Sequence, residues 1–195
     1  QCLEAWFAHV PGLKVVVPSN SADAYGLLRA AIDDPDPVIV VENKAMYSTK
    51  GELPDAPSAV SIGKARIARS VGDLSIVAYG ASVALSLKAA ATLAQEGVET
   101  EVIDLRSIQP WDEAAVLASV RRTRRLVVVH EATTAFGVGA EIAARISEAA
   151  FGRLSAPVLR VGAAFMPIPF APSLERGCLP CEAGIVAAAR RCLAW

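Results

Sequence analysis

The segment Asp33-Asp34-Pro35-Asp36-Pro37 sets carboxylates at the point where a helix should end and a strand begin. A helix predicted from Ser21 to Asp33 leaves its last carbonyls, those of Ala31 and Ile32 among them, without intrahelical partners. Acidic side chains beside such an end cost about 0.3–1 kcal/mol each, and a nearby cation reverses the sign. The carbonyls of Ala31 and Ile32 with the side chains of Asp34 and Asp36 would give a hard cation an all-oxygen shell. The alternative is a solvated acidic turn, with Pro35 and Pro37 ending the helix and opening the strand.

Other groups with chemical potential stand alone. His130-Glu131 falls at the carboxyl end of a predicted strand, where open α/β sheets bind ligands. No GxSxG element accompanies it, so a hydrogen-bonded interface or loop histidine is the favoured reading. His9 reads as a capping or packing residue. Gly137 and Gly139 open a helix after a strand, but Ile142 occupies the place of the third glycine of a dinucleotide fingerprint. They serve either a nucleotide or tight packing of helix on strand. Cys178-Leu179-Pro180-Cys181 has CxxC spacing, yet only Cys192 is near enough to add a ligand, which disfavours zinc.

The 195 residues are 53% hydrophobic and 20% charged, with net charge −1. A soluble globular chain is expected, with no membrane span. The near-neutral charge supplies no field for nucleic acid, so none is expected as a partner. The cluster Arg121-Arg122-Thr123-Arg124-Arg125 reads as a basic helix end that complements the dipole. Four cysteines scattered over this length suit a cytoplasmic chain better than a disulfide scaffold. The opening QCLEAWFAHVPG, without Met or signal pattern, reads as a cut through a longer protein.

The elements that must position these groups alternate. LKVVVP is a buried strand candidate. SNSADAYGLLRAAID follows as a helix with Ser21 as N-cap and Ala24, Leu27, Leu28 and Ala31 on one face. PVIVVE (Pro37 to Glu42) is the next strand. Residues 43–61, with Gly51, Pro54 and Pro57, show no period and read as a linker. Then come the strand LSIVAYG, a helix aligning Val83, Leu87, Ala90, Ala91 and Ala94, the strand ETEVIDL, and a helix capped by Asp112 with Trp111 and Val116 as a hydrophobic staple. RLVVVH, a helix through Val138, Ile142 and Ile146, APVLRVG and a last helix through Ile185, Ala189 and Cys192 complete the series. The fold class is therefore α/β, a mostly parallel sheet with helices on both faces.

Taken together, the stretch from QCLEAWFAHVPGLKVVVP to VIVVENKAMY, then EVIDLRSIQPWDEAAVLASVRRTRRLVVVHEA and GVGAEIAARI, resemble one family. It is the beta subunit of the thiamine-diphosphate-dependent decarboxylase component of 2-oxo acid dehydrogenase complexes, to which acetoin dehydrogenase also belongs. The resemblance implies that residues 1–55 are the C-terminal part of a pyrimidine-binding domain, 56–61 a linker, and 62–195 a transketolase C-terminal-like domain. Gln1 matches the glutamine of a His-Ser-Gln string, which would place the catalytic histidine two positions before it.

That family holds thiamine diphosphate and magnesium mainly through the alpha subunit and through residues farther upstream, so no catalytic or cofactor-binding residue is expected among residues 1–195. It binds potassium at this helix end, which implies Ala31, Ile32, Asp34 and Asp36 as ligands. Implied partners are the alpha subunit, a second beta subunit in a heterotetramer, and a lipoyl acyltransferase core. The segment VGAAFMPIPFAP departs from the family: it keeps Pro167, Pro169 and Pro172 but loses the polar residues usual there.

Overall fold

The computed structural model describes residues 2–53, 55, 58–70 and 72–195. Gln1, Pro54 and Pro57, and the start of the expected linker, lie outside them. Helix α1 (Glu4–Ala8) leads to β1 (Lys14–Val16), α2 (Ser21–Asp33) and β2 (Val38–Val40). Asn20 rather than Ser21 caps α2, its side chain accepting from the Asp23 N–H at 2.9 Å. Ser21 thus begins the helix itself. Leu27 is fully buried beneath α2, whereas Leu28 is 47% exposed, so the core-facing stripe is narrower than the expected one.

The second half runs β3 (Arg66–Arg69), β4 (Leu74–Ala78), α3 (Ala81–Gln95), β5 (Thr100–Asp104), β6 (Ser107–Gln109), α4 (Glu113–Thr123), β7 (Leu126–Thr133), α5 (Val138–Ala149), β8 (Leu159–Ala163), α6 (Pro172–Cys178) and α7 (Glu182–Leu193). Five strands form one sheet in the order β3-β5-β4-β7-β8. All its pairs are parallel except β3 with β5 at the edge. Successive residues of β4 face opposite ways, as a strand requires. Leu74, Ile76 and Ala78 meet α3 and α7, while Val77 and Tyr79 meet the core beneath α4 and α5. Helices on both faces explain why the central strands read as unbroken apolar runs.

A smaller sheet, ordered β2-β1-β6, joins the two halves. β1 pairs parallel with β2 and antiparallel with β6, which comes from the second half of the sequence. Val15 and Val17 pack into the same cluster as Val77, Val116 and Ile142. Sequence reading missed β3, β6 and α6, because RIAR and SIQ carry too few apolar residues for a strand pattern and PSLERGC too short a stretch for a helical one.

Asp112 caps α4 as expected, accepting from the Ala115 N–H at 3.1 Å. The basic cluster is absorbed locally. Arg122 forks onto Glu101 of β5 at 2.8 Å to each oxygen, and Arg124 donates to the Arg153 carbonyl. No helix among the described residues is long and apolar enough to cross a membrane.

Candidate functional site

Both sheets end at one cleft. The residues following β1 and β2 (Val17, Val41, Glu42 and Asn43) face those following β4 (Tyr79 and Gly80) and Glu131 of β7, around about 360 Å³ of open space. This is the carboxyl edge of the strands, the usual ligand side of an open α/β sheet. Helix α1 closes one wall with Glu4, which is 2% exposed.

The polar groups of the cleft tie the two halves together. Tyr79 donates its phenolic hydrogen to Glu4 Oε1 at 2.7 Å, and Asn43 donates its amide to Glu131 Oε2 at 2.7 Å. Burial, then the charge of Glu4, raise the Tyr79 phenol well above its usual range, so it remains a donor. Burial raises the neighbouring Cys2 thiol to about 12, with Glu4 and Glu131 adding to the effect. Glu4 Oε2 is buried without a hydrogen-bond partner among the described residues.

His130 and Glu131 are adjacent in sequence but serve opposite faces of β7. The imidazole is fully buried and stacks on Tyr79, centroids 6.1 Å apart and planes 11° from parallel. Its Nδ1 lies 3.0 Å from the Ala132 carbonyl. A carbonyl only accepts, so Nδ1 carries the proton and Nε2 is left bare. Nε2 is buried without a partner among the described residues. Burial lowers this histidine to about 4, against a smaller opposing effect of the Ala132 hydrogen bond, so the ring is neutral.

Gly137 and Gly139 serve this ring. A β-carbon on Gly137 would lie 2.8 Å from the imidazole Cε1, one on Gly139 2.4 Å from Nε2, and one on Gly162 of β8 3.0 Å from Cε1. The space a phosphate would need at the start of α5 is taken by imidazole, so the nucleotide alternative gives way to packing.

Behind the cleft, Asp104 is wholly buried at the end of β5. Ser19 donates to its Oδ2 at 2.5 Å and Arg66 Nη2 at 2.9 Å. The Nε atoms of Arg66 and Arg106 lie 3.4 and 3.3 Å from the carboxylate of Asp23 in α2, as ion pairs without a hydrogen bond. Burial raises the Asp104 carboxyl, and the Ser19 and Arg66 hydrogen bonds oppose it.

At the acidic turn, Asp34 is the C-cap of α2, and Lys14 Nζ lies 2.7 Å from Asp34 Oδ1 and 3.0 Å from Asp36 Oδ2. Lys14 holds Asp34 below the usual carboxylate range. Parallel pairing brings it there, because Lys14 of β1 sits opposite Val38 of β2, just beyond the turn. Cys178 and Cys181 lie at the surface around the end of α6. Among the described residues no group of three or more His, Cys, Asp or Glu is placed to hold a metal ion. His9 lies on a separate surface groove with Trp111 and Phe136.

Glu4, Tyr79, Asn43, Lys14 and Asp104 were not singled out from the sequence. The one available signal was the strand order, which predicts that residues just past strand ends converge.

Residues 63–185 match the family described as the transketolase C-terminal domain, and residues 1–50 the transketolase pyrimidine binding domain. The chain is 48% identical, over 98% of its length and 52% of the relative's, to the pyruvate dehydrogenase E1 component subunit beta-2 of Oryza sativa subsp. japonica. It is 47% identical, over 98% of its length and 56% of the relative's, to the acetoin:2,6-dichlorophenolindophenol oxidoreductase subunit beta of Cupriavidus necator. It therefore spans about half the length of the curated relatives it matches. A solved chain described as a split gene transketolase, inactive beta4 tetramer, superposes with TM-score 0.82 at 25% identity, covering 98% of this chain and 60% of that one.

Proposed function

Because this chain belongs to the transketolase family, we propose that it is part of the beta half of a thiamine-diphosphate-dependent 2-oxo acid or acetoin dehydrogenase. One observation carries the reading: likeness to both pyruvate and acetoin relatives extends over 98% of the chain, across both sheets and the cleft they share. The intact enzyme would decarboxylate a 2-oxo acid, or cleave acetoin, and pass the acyl group to a lipoyl partner. Thiamine diphosphate serves there as the electron sink.

The residues described here do not fit that cofactor. Gly137 and Gly139, which open α5, pack against the His130 ring and leave no room there for a diphosphate. On this reading thiamine diphosphate and magnesium rest on the alpha subunit and on beta-subunit residues other than these. This chain's own work is positional. Tyr79 fixes Glu4, which holds helix α1 against the large sheet, and Asn43 meets Glu131, which holds the residues after β2 against it.

Partners in this proposal are an alpha subunit, a second beta subunit and a lipoyl acyltransferase core. Assembly of beta chains with one another is supported by the solved relative described as a beta4 tetramer. Potassium is proposed at Ala31, Ile32, Asp34 and Asp36. Support comes from Lys14, whose ammonium lies against both carboxylates, a positive charge at the same corner.

The test is reconstitution. The 195-residue chain alone should show no oxidation of pyruvate, branched-chain 2-oxo acids or acetoin. The full-length beta chain encoded by the same gene, co-expressed with an alpha subunit, should reduce dichlorophenolindophenol with one of them, dependent on thiamine diphosphate. Failure of every substrate with a folded, assembled complex would refute the reading.

A further inference from the structure

A buried pair of rings stands behind helix α1. The parallel register that sets Ala78 of β4 beside Val129 of β7 carries on to the next residues, so Tyr79 and His130 are neighbours on one face of the large sheet. Their rings stack with centroids 6.1 Å apart and planes 11° from parallel. Gly137, Gly139 and Gly162 close round the imidazole, and its Nδ1 hydrogen bond to the Ala132 carbonyl at 3.0 Å fixes the ring plane. Tyr79, itself 4% exposed, is therefore seated on a densely packed part of the core.

Helix α1 depends on that seat. Its five residues are too few to stay helical unaided, and Leu3 at its N-cap makes no side-chain cap bond. Ala5 and Ala8 rest on the same core cluster as Tyr79, Trp6 and Phe7 are exposed, and Glu4 is the one buried side chain of the helix. Apolar contact through two methyl groups has no direction. The Tyr79 hydroxyl, donating to Glu4 Oε1 at 2.7 Å, supplies one. Burying a carboxylate costs more than burying an apolar side chain of like size, so this pair sets the place of α1 rather than adding to stability.

We propose that Tyr79 is a positioning residue of the intact enzyme: seated by His130, it fixes through Glu4 where α1 lies at the carboxyl edge of the strands, and through α1 the geometry of turnover at that edge. This is the ligand side of an open α/β sheet, where small misplacements of a wall are costly to the rate. The phenol stays a donor throughout the neutral range, because burial and the charge of Glu4 both keep its proton on. The inference rests on the thiamine reading for its effect on turnover. For the placing of α1 it rests only on the contacts among Glu4, Tyr79 and His130.

Two measurements test it: amide hydrogen exchange of residues 4–10 in the full-length beta chain, and turnover by its complex with an alpha subunit. Tyr79→Phe removes one oxygen from a ring that stays stacked, so it should fold. Exchange of residues 4–10 should rise about tenfold, as the loss of one ordinary hydrogen bond implies. In the complex kcat should fall about tenfold while KM stays within about twofold, the pattern of lost positioning rather than lost binding. Glu4→Gln keeps an acceptor for the hydroxyl and should protect α1 as the parent does, whereas Glu4→Ala should not. Ser119→Ala is the control: it removes a buried hydroxyl bonded to Ser75 at 2.7 Å, at the opposite end of β4, and should change neither the exchange of residues 4–10 nor kcat. Unchanged exchange or unchanged kcat in Tyr79→Phe, or an equal loss of kcat in Ser119→Ala, overturns the assignment. A parent complex inactive with every substrate refutes the thiamine reading instead, and the exchange result then decides by itself whether Tyr79 places α1.

Discussion

Gly139 lies so close to His130 that a β-carbon on it would stand 2.4 Å from Nε2 and 2.6 Å from Cδ2 of the imidazole. The ring cannot retreat, since Tyr79 stacks on it and Gly137 and Gly162 crowd its other edge. Gly139→Ala should therefore lose about 2–3 kcal/mol, the range for overpacking a dense core. His130→Ala removes the obstacle, so the double variant should lose less than the sum of the singles. As control, Gly184→Ala in α7 meets nothing nearer than Cys181 Sγ at 3.7 Å and should change stability by less than about 1 kcal/mol. Urea unfolding of the four variants measures all of this.

The same histidine makes stability depend on pH. Folding lowers it from 6.5 to about 4, so between those values the unfolded chain is protonated and the native one is not. Stability then rises with pH through this window and falls as pH drops from 6.5 toward 4, by at most about 3 kcal/mol from this group. His130→Phe, which cannot protonate, should flatten that slope. Denaturation midpoints at pH 7, 6 and 5 decide it, and an unchanged slope would refute the assignment.

Asp104 anchors β5 to the segment between β1 and α2 through Ser19, and to β3 through Arg66. Asp104→Ala strips both of their acceptor in the interior and should cost about 3 kcal/mol or more. The loss should exceed that of Asp33→Ala, whose only ion pair among the described residues, with Arg29, is exposed and 3.9 Å long.

At the end of α2, Lys14→Met would leave Asp34 and Asp36 facing the helix carbonyls uncompensated. The melting temperature should fall, more at low salt than at high. Potassium chloride should raise the parent's melting temperature above that in equal sodium chloride, and Asp34→Asn should abolish the difference. Equal shifts in the two salts would count against a selective site.

Thiol reactivity should order the cysteines. Raising Cys2 from 9.0 to about 12 lowers its thiolate fraction near pH 8 by roughly a thousandfold. Iodoacetamide labelling followed by peptide mass spectrometry should therefore mark exposed Cys181 well before Cys2. Glu131→Gln should narrow the gap.

Much of this architecture was legible beforehand. The alternation of LSIVAYG, ETEVIDL and RLVVVH with amphipathic helices implied a covered parallel sheet, because strands buried on both faces must be apolar throughout. Asp112 was recognisable as a cap by its own chemistry. The strands β3 and β6 were not, since an edge strand and a three-residue bridge need no apolar pattern of their own. Asp34 and Asp36 stood out as misplaced charges, yet their counter-ion Lys14 lies 20 residues away from Asp34 and was invisible without the register of β1 on β2.

Residue order alone settled what depends on near neighbours: which segments are helix or strand, that helices must cover the sheet, and which family the chain resembles. Tertiary structure decided which side chains meet. It sent His130 into a glycine-lined core and its neighbour Glu131 into a cleft, because consecutive strand residues face opposite sides. It also brought Glu4, Asn43 and Tyr79 from distant segments to one edge. Convergence of that kind follows from strand order and register, which are properties of the packed sheets and not of any single stretch of chain.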